Sequence, residues 1–276
     1  MNIILAIQKF HNPFLDNFFI FITMLGEEVF GIILFLLIFW CIDKALGHKI
    51  MFAFFTSLCL NNSIKDIFMA ERPIGKPGIR SLRVDTATGY SFPSGHTQGV
   101  TTLLGTIASH MKKRWFTLLS IVIVTLVAIS RLYLGVHWPR DVIFGIIFGI
   151  ISIVFSNYLY KISVEKHNPY IFLILLIPFS IGLLFFKSDD YLKVVSGFLG
   201  GYSGYLIELK YINFQIASSP KNGILRLLLG LIVVAAIKFG LKAILPIGSF
   251  NNFIRYFLLT LWITAGAPYI FKKISI

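Results

Sequence analysis

Apolar runs long enough to cross a bilayer return along the whole chain, each broken by a short polar stretch, and nothing else in the sequence constrains the fold as much. The hydrocarbon core holds no water to satisfy a peptide group, so a run of about 20 apolar residues there has to be helical. Spans are expected at about 20–42, 46–68, 94–111, 116–134, 142–160, 170–186, 194–209, 224–244 and 253–271. The expected fold is therefore all-α, a polytopic membrane helix bundle of about nine transmembrane helices. Residues 1–24 read as an interfacial entry in which Pro13 opens a helix, and no cleavable signal peptide is expected there. The seventh span is rich in glycine (Gly197, Gly200, Gly201, Gly204), which points to close helix packing.

Charge supports the same reading. Only 13% of residues are charged and 57% are hydrophobic, whereas a soluble domain carries about a quarter charged residues. A net charge of +13 would suggest a nucleic-acid partner in a soluble chain. Here the Lys and Arg lie between apolar runs and act as topology signals, so no nucleic-acid partner is expected. One set of loops holds Lys44, Lys49, Lys112, Lys113, Arg114, Lys161, Lys166, Lys210, Lys221, Arg226, Lys272 and Lys273, and the other is poorer in bases and holds Asp85, Asp189 and Asp190. The positive-inside bias assigns the first set to the cytoplasm and the second, with the motifs below, to the outer face of a cell membrane. Cys41 and Cys59 both fall inside apolar runs and are expected as free thiols.

Three polar stretches interrupt this background on one side of the membrane. Ser130-Arg131-Leu-Tyr-Leu-Gly-Val-His137-Trp-Pro-Arg-Asp141 joins the fourth and fifth spans. The Arg131 guanidinium suits phosphate oxygens. Pro139 is well placed as a first helical residue, which puts Asp141 in the first turn. From there its carboxylate can hold the Nδ1 proton of His137 and leave Nε2 to attack. In isolation the stretch reads equally as an interfacial Arg–Asp pair with a solvated His. Phe92-Pro93-Ser94-Gly95-His96 opens the third span, with Ser94 as N-cap, Gly95 allowing close approach of a ligand, and the helix N-terminus offering N–H groups to an anion. Lys65 and Arg72-Pro73 end the second span. Because spans alternate in direction, all three stretches meet on one face. Together they supply two Arg, a Lys, a helix N-terminus, two His and an Asp, the parts of a phosphoryl-transfer site.

Lys65-x6-Arg72-Pro73, Pro93-Ser94-Gly95-His96 and Ser130-Arg131-x5-His137-x3-Asp141 resemble the three signature motifs of the type-2 phosphatidic acid phosphatase family, in the family's order. The resemblance covers about residues 20–160. It implies a helical lipid-phosphatase core, placed at 1–165, while the apolar runs make 166–276 additional C-terminal transmembrane helices of unknown role. It also implies hydrolysis through a phosphohistidine. By the same resemblance His137 is the nucleophile, Asp141 its orienter and His96 the acid, while Lys65, Arg72, Ser94, Gly95 and Arg131 bind phosphate. No His/Asp/Glu cluster has metal-ligand spacing, so neither a metal nor another cofactor is expected, and the partner is a lipid phosphate held within the membrane. The rival reading is a phosphate-lipid carrier or scramblase that uses the same basic site without hydrolysis. Glu27 or Glu28 reads equally as a partner of a site arginine or a polar head group and as a helix-end carboxylate at the interface, and Asn61 and Asn62 are expected to bond between helices.

Overall fold

A computed structural model describes residues 2–217, 219–244, 246 and 248–276. Helices occur at α1 (Asn2–Gln8), α2 (Pro13–Met24), α3 (Glu28–Leu37), α4 (Lys44–Phe68), α5 (Gly95–Met111), α6 (Arg114–Tyr133), α7 (Pro139–Glu165), α8 (Leu173–Gly182), α9 (Asp189–Ile207), α10 (Pro220–Ala235), α11 (Leu241–Ile244), α12 (Ser249–Leu261) and α13 (Ala267–Lys273). No strand occurs among the described residues. Single π-turns continue several helices, at Ile38–Ile42, Glu208–Ile212, Ala236–Gly240 and Trp262–Gly266.

The chain is an integral membrane protein. Among the described residues four helical stretches are long and apolar enough to cross a bilayer: Arg114–Tyr133, Pro139–Glu165, Pro220–Ile244 and Ser249–Lys273. A fifth is reached if Pro13–Met24 and Glu28–Ile42, bent by 48°, form one broken span. The count of nine expected from the sequence is not reached by length and composition. The remaining segments are helical but short or polar. α5 has 17 residues, and Pro169–Gly182 is a shorter apolar helix. α4 carries Ser57, Asn61 and Ser63 buried against protein, where a polar residue need not meet lipid.

Two compact units divide the chain, Met1–Ile32 with Thr56–Ser156, and Ile33–Phe55 with Asn157–Ile276. In the first, α5 packs on α6, and α1 and α2 pack on α6 as well. The start of α7 lies against the start of α5 through two glycines. A methyl group on Gly145 would stand 2.9 Å from the Ser94 carbonyl oxygen, and one on Gly149 would stand 2.8 Å from Thr101 Cβ. Small residues four apart let two backbones approach in this way.

The second unit is built on α9 and α12, which run along one another. Gly197 faces Phe55 and Thr260, and Gly204 faces Thr264, so the glycine stripe serves packing. Phe52, Phe172, Phe198 and Tyr205 form an aromatic core in which the Phe52 and Phe172 rings stack. Glu208 is fully buried and bonds Lys44 Nζ at 3.0 Å and the Phe214 N–H at 3.1 Å.

Candidate active site

The first unit brings the three motif stretches together. α6 ends in a turn closed by Gly135 at φ +65°, where an added Cβ would collide with the Arg80 carbonyl. That left-handed turn stops the helix and sends the chain back over it. His137 follows at 1% exposure, and Pro139 restarts the chain as α7. Asp141 therefore sits in the first turn, as the spacing implied, and is fully buried. Its Oδ2 lies 3.3 Å from His137 Nδ1 and also accepts the Trp138 N–H at 2.8 Å and the Ser91 hydroxyl at 2.5 Å. The carboxylate is fixed from two sides before it meets the imidazole.

The other ring nitrogen faces cations. Arg72 Nη1 donates to His137 Nε2 at 3.0 Å. With a donor at Nε2 and a carboxylate at Nδ1, the imidazole is assigned neutral with its proton on Nδ1. Burial and the positive charges of Arg131, Arg72 and Lys65 hold the His137 pKa well below its usual value. The lone pair on Nε2 is the one a nucleophile needs.

The arginines of the site differ in what they have left to give. Arg72 donates Nε to the Gly89 carbonyl at 3.0 Å, Nη2 to Thr88 at 2.7 Å and Tyr90 at 3.2 Å, and Nη1 to Val136 at 2.9 Å as well as to His137. All five of its N–H groups are engaged, and it ties the 88–90 loop to the histidine. Burial pulls its pKa down to about 10, opposed by the Asp141 carboxylate, so it stays cationic at neutral pH. Arg131 is fully buried and makes one bond, from Nη1 to Thr23 Oγ1 at 2.7 Å. Its Nε and Nη2 have no partner among the described residues, and neither has His96 Nε2. Arg131, Lys65 and Arg72 all lie within electrostatic reach of both His96 and His137.

Ser94 caps α5, accepting the Thr97 N–H at 3.5 Å and pairing with Thr97 Oγ1 at 3.0 Å, while its own N–H donates to the Asp141 carbonyl at 2.9 Å. Gly95 follows, and a methyl group on it would stand 3.9 Å from Lys65 Nζ and 3.7 Å from Asn61 Oδ1. Lys65 therefore faces the start of α5. Asn61 bonds across to Gln98 Oε1 at 2.7 Å, an interhelical bond as expected. All eight motif residues thus lie in one neighbourhood, although the Ser94 hydroxyl and the Arg72 donors are turned to protein groups.

Sequence reasoning missed three contributors. Ser91 fixes Asp141, Thr23 fixes Arg131, and Arg83 pairs with Glu27 at 2.6 Å. Ser91 stands three residues before the Ser94 cap, and Thr23 is a hydroxyl inside an apolar helix, but neither belongs to a recurring pattern. Among the described residues no group of three or more His, Cys, Asp or Glu side chains is gathered as a metal site would require.

Residues 47–165 match the PAP2 superfamily, and residues 192–276 match the transmembrane extension of PAP2 superfamily phosphatases. The chain is 32% identical to a probable sphingosine-1-phosphate phosphatase of Dictyostelium discoideum, over 59% of this chain and 43% of that protein. It is 33% identical to a dihydrosphingosine 1-phosphate phosphatase of Schizosaccharomyces pombe, over 53% and 38%. It is 31% identical to an undecaprenyl-diphosphatase of Sulfolobus acidocaldarius, over 49% and 66%. The chain thus spans about two fifths of the length of the two sphingoid-phosphate phosphatases.

Proposed function

Because the chain belongs to the PAP2 superfamily, we propose that it is an integral-membrane lipid phosphatase that hydrolyses a phosphate monoester or diphosphate through a phosphohistidine. One observation carries the reading. The buried Arg131 Nε and Nη2 and His96 Nε2 lack partners in the same neighbourhood where His137 is neutral and oriented by Asp141. Donors fixed before the reaction stabilise charge on a transferring phosphoryl group without reorganising, each worth about 3–4 kcal/mol. Arg131 and Lys65 carry the equatorial oxygens. Arg72 Nη1 leaves His137 Nε2 as phosphorus arrives, Nε2 forms the P–N bond, and the P–O bond to the lipid breaks. His96 gives its proton to the departing oxygen. Water then attacks phosphorus, loses a proton to His96 and releases inorganic phosphate, restoring His137.

The site already gathers the positive charge this chemistry needs from side chains, which supports turnover without a metal. Purified protein in detergent should release phosphate from lipid phosphates in the presence of EDTA and form an acid-labile phosphoenzyme. His137→Asn should form none. Turnover abolished by chelation and restored by Mg²⁺ would reject the mechanism. A carrier that only binds a phosphate head group gains nothing from a histidine oriented by a buried carboxylate, and binding without phosphate release would favour it.

The finer topology is part of the same proposal. Nine crossings, with 1–165 as the catalytic core and 166–276 as further membrane helices, put the site on the outer face of the cell membrane and the Lys112–Arg114 loop in the cytoplasm. Cysteine at Lys76 should react with an impermeant thiol reagent in intact cells and cysteine at Lys113 should not. The reverse pattern would turn the site to the cytoplasm.

A further inference from the structure

We propose that the Glu27 carboxylate is a subsite for a cationic amino group on the lipid alcohol, with Arg83 as the residue that orients it. The inference rests on the phosphatase reading above. The turn that ends α2 touches both halves of that reaction. Thr23 Oγ1 holds Arg131 Nη1 at 2.7 Å. Gly26, three residues on, lies so close to α5 that a methyl group there would stand 3.0 Å from both the Cβ and the carbonyl oxygen of His96. His96 protonates the leaving oxygen, so this turn lines the side from which the lipid alcohol departs.

Glu27 is the next residue. Its Oε1 accepts from Arg83 Nη2 at 2.6 Å, and Oε2 makes no hydrogen bond among the described residues. The Glu27 side chain is 21% exposed, so a ligand can reach it. Arg83 instead turns its Nε into the protein, where that atom is buried without a partner. Both residues lie within electrostatic reach of Arg131. Arg83 engages only one oxygen of the carboxylate, and the other is left to attract a positive charge on a ligand bound at Arg131. The ligand that fits is an amino-alcohol phosphate lipid, with an ammonium on the carbon chain of the alcohol. The phosphate goes to Arg131 and the ammonium to Glu27.

The test compares sphinganine 1-phosphate with its N-acetyl derivative, which keeps the phosphate and the chain but loses the charge. A charge-assisted hydrogen bond to a carboxylate corresponds to about 10- to 100-fold, so wild-type kcat/KM should favour the amine by at least about tenfold. Glu27→Gln should bring that ratio to near one, and Arg83→Gln should reduce it in part by releasing the carboxylate. Phosphate release from no lipid at all would remove the phosphatase reading. Release from both lipids with equal efficiency, or a ratio unchanged in Glu27→Gln, would overturn the subsite alone. The wild-type ratio stands as a test even if the variant fails to fold. If Arg83→Gln lost turnover of a lipid diphosphate while the amine ratio held, the pair would be a second-phosphate site and the proposal would fall.

Discussion

Each unit buries an arginine, and the two are finished differently. In the second unit Arg226, 4% exposed, donates Nη1 to the Trp40 carbonyl at 2.6 Å and Nε to the Ile276 carbonyl at 3.0 Å. Its Nη2 bonds the same Ile276 oxygen, and the Phe214 and Phe271 rings lie 5.8 and 5.3 Å from the guanidinium carbon. In the first unit Arg131, fully buried, has Thr23 and nothing more among the described residues. Burial alone does not separate a structural arginine from a binding one, but the donors left over do. An unsatisfied buried donor on a charged group costs about 1–3 kcal/mol or more, so the first unit gives up stability to keep Arg131 incomplete.

That contrast can be broken most sharply at Arg131. Arg131→Ala removes two donors available to phosphate, and at about 3–4 kcal/mol for a donor of this kind kcat/KM should fall by about 10⁴ or more. Thermal unfolding should shift little, because the residue makes only one bond to the protein. Steady-state kinetics on purified enzyme read the first effect and melting curves the second. A variant that melted early but turned over normally would make Arg131 structural.

Arg226→Ala should do the opposite. It strips carbonyl partners and the space between two rings, and should cost about 3 kcal/mol of stability, measured as a lowered midpoint. The kcat per folded molecule should not change, and its loss would erase the distinction.

Ser91→Ala tests a smaller part of the first unit. The hydroxyl is one of three donors on Asp141 Oδ2, and losing it should lower kcat by about tenfold, equal to about 1.4 kcal/mol. KM for the lipid should stay within about twofold by the same reasoning. A change confined to KM would move Ser91 to substrate binding.

The mildest effect is on pH. With neutral His137 as the proposed nucleophile and its pKa depressed, the acid limb of kcat/KM should lie below the ordinary imidazole value of about 6.5. The unfolded chain takes up a proton on this residue near that pH while the folded chain does not. Its contribution to stability therefore falls as pH drops from about 6.5 towards the depressed value. An acid limb at or above about 6.5 would mean that the surrounding cations do not act on His137.

The motif spacings carried much of the site. Three short stretches separated by apolar runs had to meet if the spans alternated, and Lys65, His96, Arg131 and His137 do lie together. The span count carried less. Polarity in α4 marks helix-to-helix bonds such as Asn61 to Gln98, and a pattern of apolar runs cannot distinguish those from positions meeting lipid. Thr23, Ser91 and Arg83 were invisible for another reason. Each acts through one contact with a residue 50 to 108 positions away, and single contacts between distant residues leave no local periodicity. The engagement of Arg72 by the 88–90 carbonyls was equally unreadable, since backbone oxygens have no sequence signature.

The close seating of α7 on α5 at Gly145 and Gly149, reinforced by the Ser94 N–H on the Asp141 carbonyl, also bears on how the protein meets its bilayer. A helix tilts when membrane thickness changes. Here the helix that carries Asp141 cannot tilt far without taking along the helix that Ser94 caps. Thinning or thickening of the bilayer should therefore move Asp141 and Ser94 as one piece, which would buffer the geometry of the proposed site against the mechanical state of the membrane around it.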